Sequence, residues 1–229
     1  MKKLERFKEN ETFSCLFQPN ISYDDKNDFF LKGKWTSDCF KNSNPLFVEV
    51  GCGRGDYTVK LARTFPNINF IGIDVKGSRL WFGAKQTETE KISNVRYLRT
   101  RVEFLDRFFA KDEVNGMWIT FPDPHVRISD RHRRLISPAF LSLYSKILSV
   151  DGNITLKTDN SILFDYALKV IKKNELPCVF ESFDVHADPV LADTELNNLT
   201  TNYESRFIAE GKKIMAVRFS LRGKSDFTE

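Results

Sequence analysis

LFVEVGCGRGD (46–56) is the stretch that decides the fold: an apolar run, LFVEV (46–50), passes directly into the glycine turn GCGRGD (51–56). A glycine-rich turn between a first strand and a first helix lets a ligand approach the backbone closely, and the glycine spacing narrows which ligand that is. A dinucleotide fingerprint requires glycine at the first, third and sixth positions of the turn. The sixth here is Asp56, so the pattern is G-x-G-x-G. No Gly-Lys-Ser/Thr follows, which excludes a P-loop. The next apolar run, NFIGI (69–73), ends in Asp74, a carboxylate at the carboxyl edge of the neighbouring strand that can accept hydrogen bonds from both hydroxyls of a ribose. An adenosine-containing ligand without a pyrophosphate fits this arrangement better than a dinucleotide.

Outward from this turn, short apolar runs alternate with amphipathic stretches, the pattern of βαβ units and a parallel sheet covered by helices. LFVEV (46–50), NFIGI (69–73), MWITF (117–121) and NITLK (153–157) read as strands. Asp56 to Phe65, Ser78 to Ile92, Pro138 to Leu148 and Ser161 to Lys172 read as helices, with Ser78 as the N-cap of the second. CVFESFDVHA (178–187) and KKIMAVRFSL (212–221) read as two late strands forming an antiparallel hairpin, with Ile214, Ala216 and Arg218 on one face of the second and Met215, Val217 and Phe219 on the other. The segment joining them, with Pro189 and TNYESRF (201–207), is long for a structureless connection and is a candidate functional insertion. Residues 1–45 lack a hydrophobic period and are expected to form an N-terminal arm, with residues 46–229 as one principal domain.

Composition bounds the function classes. No tract approaches the roughly 20 apolar residues of a membrane span, and MKKLERFKENETF carries Glu5, Glu9 and Glu11 where a secretory signal needs an apolar core, so a cytoplasmic location is the expectation. Cys15, Cys39, Cys52 and Cys178 form no C-x-x-C pair and read as reduced thiols, and His125, His132 and His186 lack metal-ligand spacing, so no metal is expected. The net charge of +4 is modest, because 35 basic residues nearly balance 31 acidic ones. Its distribution is more informative: Arg127, Arg131, Arg133 and Arg134, with His125 and His132, face only Asp130 in one short segment.

That segment belongs to the second informative stretch, ITFPDPHVRISDRHRR (119–134), which follows a strand and so opens at the same sheet edge as the glycine turn. Pro122 and Pro124 bracket Asp123 and leave its carboxylate on a stiff, extended loop. A carboxylate so held can accept from the N1–H and exocyclic amine of guanine, while the four arginines would neutralise phosphates around an extruded nucleotide. An ordinary surface turn beside a solvated basic face is the plainer alternative.

The acid before the glycine turn and the acid after the next strand resemble the class I S-adenosylmethionine-dependent methyltransferases. This resemblance implies a Rossmann-like α/β fold, with a mostly parallel sheet, a C-terminal antiparallel strand and helices on both faces. It also implies Glu49, Gly51, Gly53 and Gly55 around the methionine part of the cofactor and Asp74 on its ribose. The whole set resembles the bacterial tRNA (guanine-N7-)-methyltransferase family, in which FPDP, a basic stretch, a strand ending in TD and a late T-x-[YF]-E-x-[RK]-[FG] element recur together. Here these are FPDP (121–124), LKTDN (156–160) and TNYESRF (201–207). The family resemblance implies S-adenosylmethionine as cofactor, tRNA as partner, and methylation at N7 of guanine 46 of the tRNA.

Carried over by position, Asp123 lies at the catalytic centre beside the cofactor, Asp159 contacts the substrate, and Thr201, Asn202, Tyr203 and Glu204 form a substrate-binding element. Arg127 stands where the family has a substrate-contacting lysine, and a guanidinium fork is not an ammonium. In NVRYLRTRVEF (94–104), where the family has an Asp or Asn near the adenine, this chain has Thr100 and Arg101; Arg101 joins the cofactor set, with main-chain groups as the other adenine contacts. Plainer roles compete for two of these residues: Asp159 as a cap for the helix near Ser161, and Glu204 as an exposed helix residue. Two other functions compete as well, a class I methyltransferase of small molecules or proteins, and a nonenzymatic RNA-binding protein with a vestigial glycine turn.

Overall fold

The computed structural model describes residues 2–20, 22 and 27–229. Its centre is an eight-stranded sheet in the order β1-β4-β3-β2-β5-β6-β8-β7. The strands are β1 (Leu16–Phe17), β2 (Leu46–Val50), β3 (Asn69–Asp74), β4 (Val95–Arg99), β5 (Val114–Thr120), β6 (Leu148–Thr158), β7 (Cys178–Ser182) and β8 (Met215–Ser220). Strands β1 to β6 run parallel, while β8 is antiparallel to both β6 and β7, as the late strands predict. β2 pairs with β3 on one side and β5 on the other, and this reversal of strand order leaves a crevice outside the carboxyl ends of the central strands.

The helices are α1 (Lys3–Asn10), α2 (Asp56–Thr64), α3 (Gly77–Glu90), α4 (Leu105–Phe108), α5 (Pro138–Tyr144), α6 (Ser161–Lys173), α7 (Glu195–Asn198) and α8 (Asn202–Ala209). They lie on both faces because the sheet is apolar on both. Tyr57, Leu61, Leu80 and Ala84 from α2 and α3 pack with Ile214 and Ala216. Leu141, Tyr144, Leu163 and Phe164 from α5 and α6 pack on the other side with Met215, Val217 and Phe219. The alternation read along β8 is therefore the alternation of two cores.

Several boundaries differ from expectation. The helix expected to be capped by Ser78 begins at Gly77 with Lys76 at the N-cap; the Asp74 side chain accepts from the Lys76 N–H at 2.7 Å, which fixes the entry two residues earlier. β6 begins at Leu148 rather than Asn153, through a register shift opposite Val114 and Gly116. β7 stops at Ser182, and the chain leaves the sheet before Val185, whose N–H bonds the Ile214 carbonyl at 2.7 Å.

Within the expected N-terminal arm, elements among the described residues lie against the sheet and its helices. β1 extends the sheet edge beside β4, and α1 is held on α3 where Trp81 Nε1 donates to Glu9 at 2.8 Å and Asn10 Nδ2 donates to the Gly77 carbonyl at 2.9 Å. Trp35, fully buried, closes this segment on the core by donating to the Phe108 carbonyl at 2.8 Å. All four cysteines are free. Among the described residues, no helix is long and apolar enough to cross a membrane.

Candidate active site

The crevice at the strand-order reversal holds a cavity of about 440 Å³, walled by the glycine turn, the FPDP loop, Asp159 and Asn160 after β6, and Thr201, Tyr203 and Phe207 from α8. Four segments far apart in sequence meet here because each leaves the sheet at the same edge. The glycine turn keeps its shape through Gly51, Gly53 and Gly55, all in the left-handed region at φ of 76°, 58° and 75°. Gly55 does not line the cavity. It is the N-cap of α2, and a Cβ there would stand 2.6 Å from the Tyr97 ring.

Asp74 ties the turn to β3. One carboxylate oxygen accepts from Gly53 N–H at 3.0 Å and the other from Lys76 N–H at 2.7 Å, so each retains a lone pair for a further donor. Beyond Asp74 a second cavity of about 350 Å³ is lined by Val75, Thr100, Arg101 and Phe104, among others. Arg101 lines this second cavity and not the first, and its guanidinium is paired with Glu103 at 2.9 Å.

Glu49 borders the first cavity but is 1% exposed, and it accepts hydroxyl bonds from Thr120 at 2.5 Å and from Thr58. Burial raises its carboxyl to about 7, against the lowering pull of the two hydroxyls. The ionised form then costs on the order of 3 kcal/mol relative to an exposed glutamate. Because the folded-state value is raised, the protonated side chain's contribution to stability is complete at low pH and is lost as pH rises through about 7.

The FPDP loop is held in an unusual shape. Phe121 and His125, one on each side of Pro-Asp-Pro, have positive φ of 47° and 42°, a region bulky residues rarely occupy. The loop is pinned from below: the Phe121 N–H bonds the Lys157 carbonyl at 2.8 Å, and Arg134 donates to the Pro124 carbonyl at 3.1 Å and the His125 carbonyl at 3.0 Å. Asp123 projects from it, exposed and lining the cavity, and among the described residues no side chain or main-chain donor engages its carboxylate.

The arginines of this segment do not act alike. Arg134, expected to neutralise phosphate, is 5% exposed, holds the loop and lies over the Tyr166 ring at 4.4 Å, so it is a structural residue. Arg131 is paired with Glu229 at 2.7 Å. Arg127 and Arg133 are exposed, Arg127 outside the 440 Å³ cavity and Arg133 on a groove of about 740 Å³ shared with His125, His132 and Lys146. That groove is the larger of the two, but it lacks the glycine turn and Asp123, so the chemistry belongs to the smaller cavity.

Asp159 is half-buried on the cavity wall, 3.4 Å from the Lys212 ammonium. It does not cap α6; Asn160 does, accepting from Leu163 N–H at 3.0 Å. Thr201 is the N-cap of α8, Tyr203 is 52% exposed at the cavity mouth, and Asn202 opens the helix with its side chain outside what is described. Glu204 does not line the cavity: it is fully buried and closes the capping box with Thr201. The expected contact between Glu204 and substrate is thus at odds with its position. The T-x-x-E spacing of a capping box was the signal for this inward role. Phe121, Asn160 and Phe207 also line the cavity; they stand inside FPDP, LKTDN and TNYESRF, but an aromatic or amide within a motif carries no spacing that assigns it a role of its own.

Residues 43–217 match a protein family described as "Putative methyltransferase". A tRNA (guanine-N(7)-)-methyltransferase of Christiangramia forsetii is 40% identical over 220 residues, spanning 96% of this chain and 98% of that protein. One from Porphyromonas gingivalis is 43% identical over 213 residues, spanning 92% and 86%. Among solved structures, the 16S rRNA methyltransferase KamB superposes with a TM-score of 0.58 at 16% identity, covering 77% of this chain and 87% of that one, which is a likeness of fold.

Proposed function

The chain belongs to the tRNA (guanine-N(7)-)-methyltransferase family, and from that membership we propose that it transfers a methyl group from S-adenosylmethionine to N7 of a guanine in tRNA, at position 46. The observation that carries this reading is Asp123: an unpartnered carboxylate on a strained, pinned loop, facing the same cavity as the glycine turn and Asp159. A cytoplasmic setting follows from a tRNA substrate.

The residues present suit the cofactor. Asp74 has lone pairs left for two ribose hydroxyls, Gly51 and Gly53 allow close approach, Glu49 can face a cation, and Thr100 and Arg101 border the space beyond Asp74 for the adenine. When bound, S-adenosylmethionine supplies a methyl group on a positively charged sulfur. The protein's own task is positioning. Guanine N7 carries an in-plane lone pair and no proton, so no general base is required, and alignment in a rigid pocket is worth up to ~7–11 kcal/mol in model reactions. Asp123 accepts from the guanine N1–H and amine, and its charge favours the cationic ring that develops as N7 is methylated. Asp159, Thr201 and Tyr203 line the same cavity. The purified protein is expected to move labelled methyl from S-adenosylmethionine to tRNA; absence of transfer, with cofactor binding intact, contradicts the proposal.

Two further outcomes are expected. Cofactor affinity measured by calorimetry falls as pH drops from 8 to 6, because protonating Glu49 removes an anion beside a cationic ligand, and Glu49→Gln flattens that dependence. A profile identical in parent and variant would detach Glu49 from the cofactor. Replacing the exposed Arg127 and Arg133 by Gln weakens tRNA binding at low salt and flattens the slope of log affinity against log salt by about 0.7–0.9 per lost phosphate contact. Unaltered slopes would place the RNA-binding surface elsewhere.

A further inference from the structure

The insertion between β7 and β8 supplies one wall of the candidate site, and what holds that wall is a buried ionic network rooted in the sheet. Lys157, on β6, is fully buried. Its ammonium lies 2.7 Å from Glu204 Oε1 and donates to the carbonyls of Leu196 at 2.5 Å and Leu199 at 3.1 Å. The same Glu204 oxygen meets His186 Nε2 at 2.9 Å, and Glu204 Oε2 accepts from the Thr201 N–H at 3.3 Å. His186 Nδ1 in turn is 2.7 Å from Asn197 Oδ1. Glu204 is thereby engaged by three donors with no exposure, and it stands outside the lining of the cavity that a guanine would enter.

Lys157 is also linked through its backbone to two of the other three walls. Its carbonyl accepts the Phe121 N–H that begins the FPDP loop, and Asp159 stands two residues further along the same chain. One residue thus joins the loop bearing Asp123, the carboxylate of Asp159 and the helix start bearing Thr201 and Tyr203. Taking both charges out of water is costly, and burial indeed pushes the Lys157 ammonium below its usual range while Glu204 opposes that shift. A merely adhesive contact would be served better by apolar side chains, whereas a buried ion pair whose ammonium has all three hydrogens engaged favours one register of the insertion on the sheet.

We propose that Lys157 is a positioning residue for the guanine substrate, acting through Glu204 and His186 to set the Thr201–Tyr203 wall relative to Asp123 and Asp159. This rests on the function proposed above.

The test compares Glu204→Gln alone with the double variant Lys157→Met/Glu204→Gln, using tRNA and S-adenosylmethionine. The single variant leaves a buried ammonium without its anion and is expected to raise KM for tRNA roughly tenfold, with cofactor affinity within about twofold of the parent. The double variant removes both charges and is expected to return KM to within about threefold of the parent. If Glu204 instead contacts guanine directly, the double variant will be as impaired as the single one, and the proposal falls. Should Glu204→Gln fail to fold, His186→Leu loosens the outer end of the network and is expected to raise KM for tRNA about threefold while sparing the cofactor; parental KM there overturns the proposal. Absence of methyl transfer by the parent protein would count against the proposed function, whereas parental activity without rescue counts against the network alone.

Discussion

Asp123→Asn is expected to lower turnover by about a hundredfold or more while cofactor affinity stays within about twofold of the parent. The substitution preserves shape and removes charge, and the carboxylate has no partner among the described residues, so little of the fold depends on it. What is lost is the interaction with a base whose ring gains positive charge as N7 is methylated, an interaction stronger in the transition state than in the ground state. Single-turnover methyl transfer, alongside calorimetry of cofactor binding, separates the two effects. Parental turnover in the variant would remove Asp123 from the reaction centre.

Asp74→Ala is expected to weaken S-adenosylmethionine binding by about tenfold to about a hundredfold for each ribose hydroxyl that loses its acceptor, since charge-assisted hydrogen bonds contribute about 1.5–3 kcal/mol each. The loss has a second source. Asp74 also accepts the Gly53 and Lys76 N–H groups, which set the glycine turn and the entry to α3. Calorimetry of the folded variant checks the expectation, with thermal melting to verify that α3 and the sheet remain in place. Unchanged affinity would rule out Asp74 as the ribose acceptor.

The central strands beside the glycine turn were legible as short apolar runs because a parallel sheet is covered on both faces, and β8 was legible because the Ile214 to Phe219 alternation maps onto two separate cores. β1 was not legible, since a two-residue edge strand has no period to read. Charged residues were the harder class. Arg134 reads as surface in sequence, yet a loop with two prolines and a positive φ at His125 turns carbonyls inward that no neighbouring N–H can reach, and a guanidinium fork satisfies them. Lys157 sits between Leu156 and Thr158 in a strand covered on both faces, and the insertion that supplies its partner lies outside any periodic pattern. The same reasoning separates the motif residues. Asp123, Asp159 and Tyr203 reach the cavity, whereas Glu204, three residues after the helix cap, is drawn inward by the capping box and the ion pair.

The most direct test of the account is to locate the methyl group. The purified protein is incubated with an unmodified tRNA transcript and labelled S-adenosylmethionine, and the product is cleaved by a reagent specific for N7-methylated guanine. Cleavage at a single guanine, position 46, abolished when that base is replaced by adenine, is the result the account predicts. Label on another atom or base, or no label on tRNA from a protein that binds the cofactor, would contradict it.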